Sequence, residues 1–161
     1  MASTTPKTIV LSGLGIRKEA IANATITPGH LIEKMSTGKV RVHATAAGNA
    51  QKMFAVEDDL QGNTISDDYA ASSICQYNVM ARGEEVLAII ADGQTIVIGD
   101  PLESAGDGTL RKHVPDVDDN ESADSTTIYT ECIVGWAMEA IDLSDSSGAD
   151  PASSRIAVEI A

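Results

Sequence analysis

The sequence predicts an all-β fold: a small β-barrel or β-tulip-like body with an internally repeated hairpin and an extended N-terminal arm. Three observations lead there. Short β-rich runs are separated by Gly, Asp, Asn and Ser turns, the spacing of a sandwich or barrel. No helical period persists long enough to define a helix. Two stretches of nineteen residues align without a gap and share seven residues.

Taken in order, strands are expected near 9–11, 31–35, 39–43, 53–57, 74–81, 86–91, 95–98, 102–104 and 110–113, followed by 128–141 and 155–160. Alternation is clearest in the last two. Cys132, Val134, Trp136, Met138 and Ala140 should face one way, with Glu131, Gly135 and Glu139 opposite. In the final strand Ile156, Val158 and Ile160 face the core, and Arg155 and Glu159 face out. Two short segments, Arg17–Ala22 and Asp67–Ala71, are the helix candidates.

The repeat pairs TITPGHLIEKMSTGKVRVH (25–43) with TIVIGDPLESAGDGTLRKH (95–113) without a gap. Thr, Ile, Gly, Glu, Gly, Arg and His recur at seven positions: 25/95, 26/96, 29/99, 33/103, 38/108, 41/111 and 43/113. Each copy reads as strand, Gly turn, strand, Gly turn, strand, with glycine supplying positive φ at the reversals. Residues 24–161 form the body, with acidic, Ser-rich loops at 114–127 and 142–154. Residues 1–23 lie outside the repeat and form the arm.

Composition narrows the function. The chain of 161 residues is 43% apolar but only 3% aromatic, so its core is aliphatic and it has no platform for stacking bases or sugars. The net charge of −13 is uneven: Lys7, Arg17 and Lys18 stand against Glu19 alone in residues 1–23, whereas Arg155 alone opposes eleven acids from 113 onward. Such a surface repels phosphate backbones, which excludes nucleic acid as a partner. No apolar run is long enough to span a bilayer, and the N-terminus lacks a signal-type apolar core, so no membrane partner is expected. Cys75 and Cys132 lie in apolar runs and read as buried thiols rather than a disulfide.

The motifs that suggest chemistry are incomplete. Ser12-Gly13-Leu14-Gly15-Ile16-Arg17-Lys18 is phosphate-loop-like but lacks the third glycine and the Gly-Lys-Ser/Thr ending. Asp116, Asp118 and Asn120 match three calcium-loop positions, but Glu121 stands where glycine is needed and Thr127 where a bidentate glutamate is needed. His30, His43 and His113 have no zinc spacing, and no nucleophile elbow occurs. No metal, cofactor or catalytic residue is therefore expected, and the chain reads as not an enzyme. The segment DGQTIVIGDPL (92–102) looks like a hairpin of biotinyl and lipoyl carrier domains, but Lys34, Lys39 and Lys112 do not stand in the displayed-lysine tetrapeptide of that family.

GLGIRKEAI (13–21), ITPGHLIE (26–33), GKVRVH (38–43), FAVEDDLQGNTISDDYAA (54–71), ARGEEVLAIIADGQTIVIGDPLESAGDGTLRKH (81–113) and the closing WAMEAID and SRIAVEIA together resemble tailed-phage head decoration, or cement, proteins. The likeness rests on turn and pattern residues and covers most of the chain. It implies a homotrimer on the outer capsid surface that clamps neighbouring major capsid subunits. Another virion β module, from tail or baseplate, is the alternative with the same composition and strand pattern. Within this reading the arm grips the capsid. Ile9, Leu11, Leu14 and Ile16 supply apolar contact, Arg17 and Lys18 meet acidic groups, and the strand near Thr8–Leu11 adds to a sheet edge on a sister subunit or the shell.

Overall fold

A computed structural model describes residues 6–115, 132–144 and 154–161. The described chain holds thirteen strands and one 3-10 turn, Asp59–Gln61. The first half carries β1 (Val10–Ser12), β2 (Ile16–Ile21), β3 (Ile32–Lys34), β4 (Val40–Val42), β5 (Met53–Ala55) and β6 (Ile74–Val79). The second carries β7 (Glu85–Ile89), β8 (Thr95–Ile96), β9 (Pro101–Ser104), β10 (Leu110–Lys112), β11 (Ile133–Ala137), β12 (Ile141–Asp142) and β13 (Arg155–Ile160). They form four open antiparallel sheets, ordered β1-β7-β13-β11-β9-β10, β2-β6-β5, β3-β4 and β12-β8. The all-β expectation holds, but these sheets do not make one closed barrel.

Strand positions match the sequence reading except at three points. The helix candidate Arg17–Ala22 is β2, with every residue from Ile16 to Ile21 paired to β6. The local helix preference of Arg-Lys-Glu-Ala is small, and a neighbouring strand's ladder overrides it. Asp67–Ala71 forms turns around Tyr69, which bridges to Ile26. In β11 the predicted alternation breaks: Val134 and Ala137 are buried while Trp136 and Met138 are exposed. A register shift between Ile133 and Gly135 against β9 marks a β-bulge, which sends the following side chains to the other face. The expected strand segment 128–131, the calcium-like positions 116–120 and most of both acidic loops lie outside the described residues.

The repeat extends well beyond the hairpin. Within it, Glu33 opposes Arg41 as Glu103 opposes Arg111. Gly29 and Gly99, and likewise Gly38 and Gly108, all take positive φ between 81° and 96°. The flanking strands follow suit. Ala22 N–H donates to Ser73 O as Ile90 N–H does to Ser154 O; Val56 to Gln76 as Met138 to Ala157; Met80 to Lys52 as Ala161 to Val134. Strands β2, β3, β4, β5 and β6 thus correspond to β7, β9, β10, β11 and β13, and the body is a tandem duplication. Among the described residues β1 has no counterpart; it caps the outer edge of β7.

Each half has its own core. Ala22, Ile26, Ile32, Val40, Met53, Tyr69, Cys75 and Tyr77 pack in the first. In the second, Val86, Ala88, Ile90, Leu102, Leu110, Val134, Ile156, Val158 and Ile160 are joined by Leu31, Ala50, Phe54 and Met80 from the first. The expected inward face of β13 (Ile156, Val158, Ile160) is confirmed.

Gly135 sets the approach of β11 to β13: a Cβ there would lie 2.4 Å from the Glu159 carbonyl oxygen. Gly135→Ala is expected to destabilise the fold by ~1–3 kcal/mol in urea unfolding, the usual cost of overpacking. Lys34→Ala, exposed at the end of β3, should stay within about 0.5 kcal/mol of the parent.

Candidate interaction surface

The residues expected to act together as an arm divide into two groups. Ile9 is fully buried, packing with Val56 and Leu87, and Leu11 is partly buried beside them. Their strand does add to a sheet edge, but the edge is β7 of the same chain. Leu14 and Ile16 are the exposed pair, at 90% and 63%. Arg17 pairs with Asp59 at 3.1 Å, and Lys18 lies exposed on β2.

The glycine-flanked loop before β2 does hold an anion, supplied by the chain itself. Leu14 and Gly15 N–H groups both donate to Glu84 Oε1 at 3.0 Å, and Ala81 N–H donates to Oε2 at 2.7 Å. Gly13 and Gly15 take positive φ, which aims the amides at the carboxylate. The Ala81, Gly15 and Leu14 amides hold the Glu84 carboxyl below its ordinary range. This clasp is therefore present above the pKa of an unfolded glutamate and is lost as pH falls through the lowered value.

The paired glutamates organise a repeated Glu–Arg–His arrangement. In the first half Arg41 Nε lies 2.7 Å from Glu33 Oε1 and His43 Nε2 3.7 Å from Oε2. In the second Arg111 Nε lies 2.8 Å from Glu103 Oε1 and His113 Nδ1 2.6 Å from Oε2. Glu103 is buried, and Cys132 Sγ stands 3.6 Å from both Glu103 Oε2 and His113 Nδ1. Carboxylate, imidazole and thiol together are a possible metal donor set. The first half repeats the carboxylate–histidine pair without a cysteine, and both Glu103 oxygens already hold partners, so the cluster reads as a satisfied polar network. Thiol and carboxylate both meet Nδ1 of His113. Burial raises both thiols, Cys75 to about 12, the opposite of an activated nucleophile.

Beyond Leu14 and Ile16, sequence reasoning did not anticipate the exposed apolar residues, which include Leu60, Val114 and two groups. One group, Val97, Ile98, Trp136 and Met138, belongs to the turn before β9 and to the end of β11. The other, Ile21 and Ile74, is a directly opposed pair on β2 and β6. The bulge in β11 was the available signal for the first; nothing in the local pattern marks the second. Lys112 is not displayed as a carrier lysine would be: its Nζ pairs with Asp100 at 2.8 Å. Among the described residues no helix is long and apolar enough to cross a membrane.

No protein-family model matches the chain, and no curated protein matches it. Among solved structures it is similar to the N base of the head fiber protein gp8.5 of bacteriophage phi29. That likeness has a TM-score of 0.53 at 14% identity and covers 92% of this chain and 95% of that one. At this identity the two share a fold.

The polar network has a testable asymmetry. Glu103→Gln leaves Arg111 and His113 beside a neutral amide in a buried place and is expected to cost about 2–3 kcal/mol in chemical denaturation. Glu33→Gln, in the more exposed copy, should cost under about 1 kcal/mol. Alkylation without reductant should label neither cysteine in the native protein and both in denaturant.

Proposed function

We propose that this chain is a structural protein of a tailed-phage virion. It assembles as a homotrimer on the outer surface of the head, binds the major capsid protein and stabilises the shell by clamping neighbouring subunits. It has no enzymatic role, no cofactor and no nucleic-acid or membrane partner. The observation that carries this reading is the fold likeness to a phage head fiber base, which spans nearly the whole of both chains. The sequence resemblance to decoration proteins points the same way, and so does a surface of charge −13 that resists self-aggregation.

The shell contact in this reading is the exposed end of the arm. Ile9 and Leu11 position it by anchoring β1 to the body; Leu14, Ile16 and Lys18 remain outward. Arg17 divides its charge with Asp59. Binding strength then comes from many modest contacts per assembly acting together.

Labelling intact virions with antibody against the chain should mark heads; label confined to tail or baseplate would favour another virion β module. Leu14→Asp with Ile16→Asp should leave the fold intact and weaken binding to capsids by about 30-fold or more, the loss expected of a central apolar anchor. Lys18→Ala should weaken it by under about 1 kcal/mol and reduce its salt sensitivity.

A further inference from the structure

The duplication exposes an unfilled contact. In the join between halves, the 27–30 turn of the first half packs on the edge of β7 in the second. Ile89 N–H donates to Gly29 O at 3.2 Å, and Arg155 Nη2 donates to Pro28 O at 3.0 Å. A Cβ on Gly29 would meet Leu87 O, Arg155 Nε and Ile89 Cγ1 within 3.2 Å. At the equivalent Gly99, with the same positive φ, a Cβ would meet nothing within 4 Å. The 97–100 turn keeps the geometry of its counterpart: Val97 N–H donates to Asp100 Oδ2 as Thr27 N–H does to His30 Nδ1. It has the same shape, and among the described residues nothing is docked on Gly99.

The receiving side is open too. Residues Ile21 and Ile74 stand where Ile89 and Arg155 stand in the second half, by the register of β2 with β6 and of β7 with β13. Ile89 is 2% exposed and Ile21 46%. Because Ala22 N–H turns inward to Ser73, the preceding Ile21 N–H points away from β6, as Ile89 N–H points away from β13. The same inversion holds for the aromatic: Phe54, in the join, is 0% exposed, and its equivalent Trp136 is 42% exposed. The turn side thus carries Ile98 and Trp136, and the edge side Ile21 and Ile74. Both patches are apolar on an otherwise acidic chain.

We propose that a second copy of this chain fills the contact head to tail. The 97–100 turn of one copy seats on the free edge of β2 in the next and repeats the internal join between molecules. Ile21 N–H then donates to Gly99 O of the neighbour, Ile74 covers its Ile98, and Trp136 is buried. Some bonds of the internal join have no equivalent: Arg155 donates to Pro28 O where Ile74 has no donor, and Leu31 N–H donates to Gly108 O where Pro101 has no N–H. A contact between two different patches is heterologous: it propagates from copy to copy and closes a ring where the rotation per copy allows, and otherwise runs on as a filament. The homotrimer of the reading above would be three such contacts. The contact itself needs no capsid, so its test is made on the purified chain alone.

Sedimentation of the wild-type chain should show a closed oligomer, at three times 16.8 kDa if the trimer is right. A ring of another size keeps the contact and overturns the trimer; a monomer at millimolar concentration overturns the contact. Ile98→Asp breaks the turn side and Ile74→Asp the edge side. Both are surface positions, and circular dichroism checks their fold. Each variant alone should be monomeric, its affinity down about 30-fold or more. Mixed in equal amounts, they should form a one-to-one heterodimer through the one intact turn and the one intact edge. An oligomer that survives either substitution, or a folded pair that gives no heterodimer, refutes the proposal. Emission from Trp136, the single tryptophan, gives a second readout: it should shift to the blue on mixing. An unchanged spectrum in an assembled heterodimer would also refute it.

Discussion

The join between the two halves is the contact on which the body depends. The core of the second half is incomplete without Leu31, Ala50, Phe54 and Met80 of the first. Burying a leucine, phenylalanine or methionine is worth about 1.5–3 kcal/mol each, so Leu31, Phe54 and Met80 supply a large part of a small domain's stability. Arg155 then ties the seam by reaching the carbonyls of Pro28 and Ile65. The first half cannot shift without uncovering the second, and the chain should unfold as one unit.

An acidic β body with a capped sheet and outward apolar patches suits a protein that works by attachment. In its buried network Glu103 pairs with both Arg111 and His113 inside the body. Charge keeps free copies apart, and attraction is confined to a few apolar surfaces at the arm, at the 97–100 turn and on the β2 edge. A ring of heterologous contacts would bring several arms onto one side of an assembly, and multivalency would then convert weak individual contacts into lasting attachment.

Strand positions were legible because turn residues and β-rich runs are local signals. The repeated hairpin was legible because its residues share one offset. The full duplication was not: the spacing between equivalents is 68 for Arg17 and Glu85 but 82 for Met53 and Gly135, and β6 shares no residue with β13 in register. Only the backbone ladder records it. β2 was misread because its charges mimic a helical turn, and they are there because it is an edge. The burial of Ile9 was not legible, because it depends on a strand more than seventy residues away.

The differences between the halves carry more information than their likeness. Two packed copies of one unit leave one turn and one edge unpaired at the outer ends, and a monomer would have no reason to keep both apolar. On β2, Arg17, Lys18 and Glu19 place charge along the part of the edge that β1 covers in the second half, the usual defence of an exposed strand against indiscriminate pairing. That defence stops at Ile21, at the one position whose equivalent receives the neighbouring turn. On the other end the bulge at Gly135 turns the single tryptophan outward, beside Ile98. Charge guards the stretch of β2 between Ile16 and Ile21, and apolar surface stands where the internal join has its two unpaired counterparts; that pattern is expected of a surface meant for a further copy of the same fold.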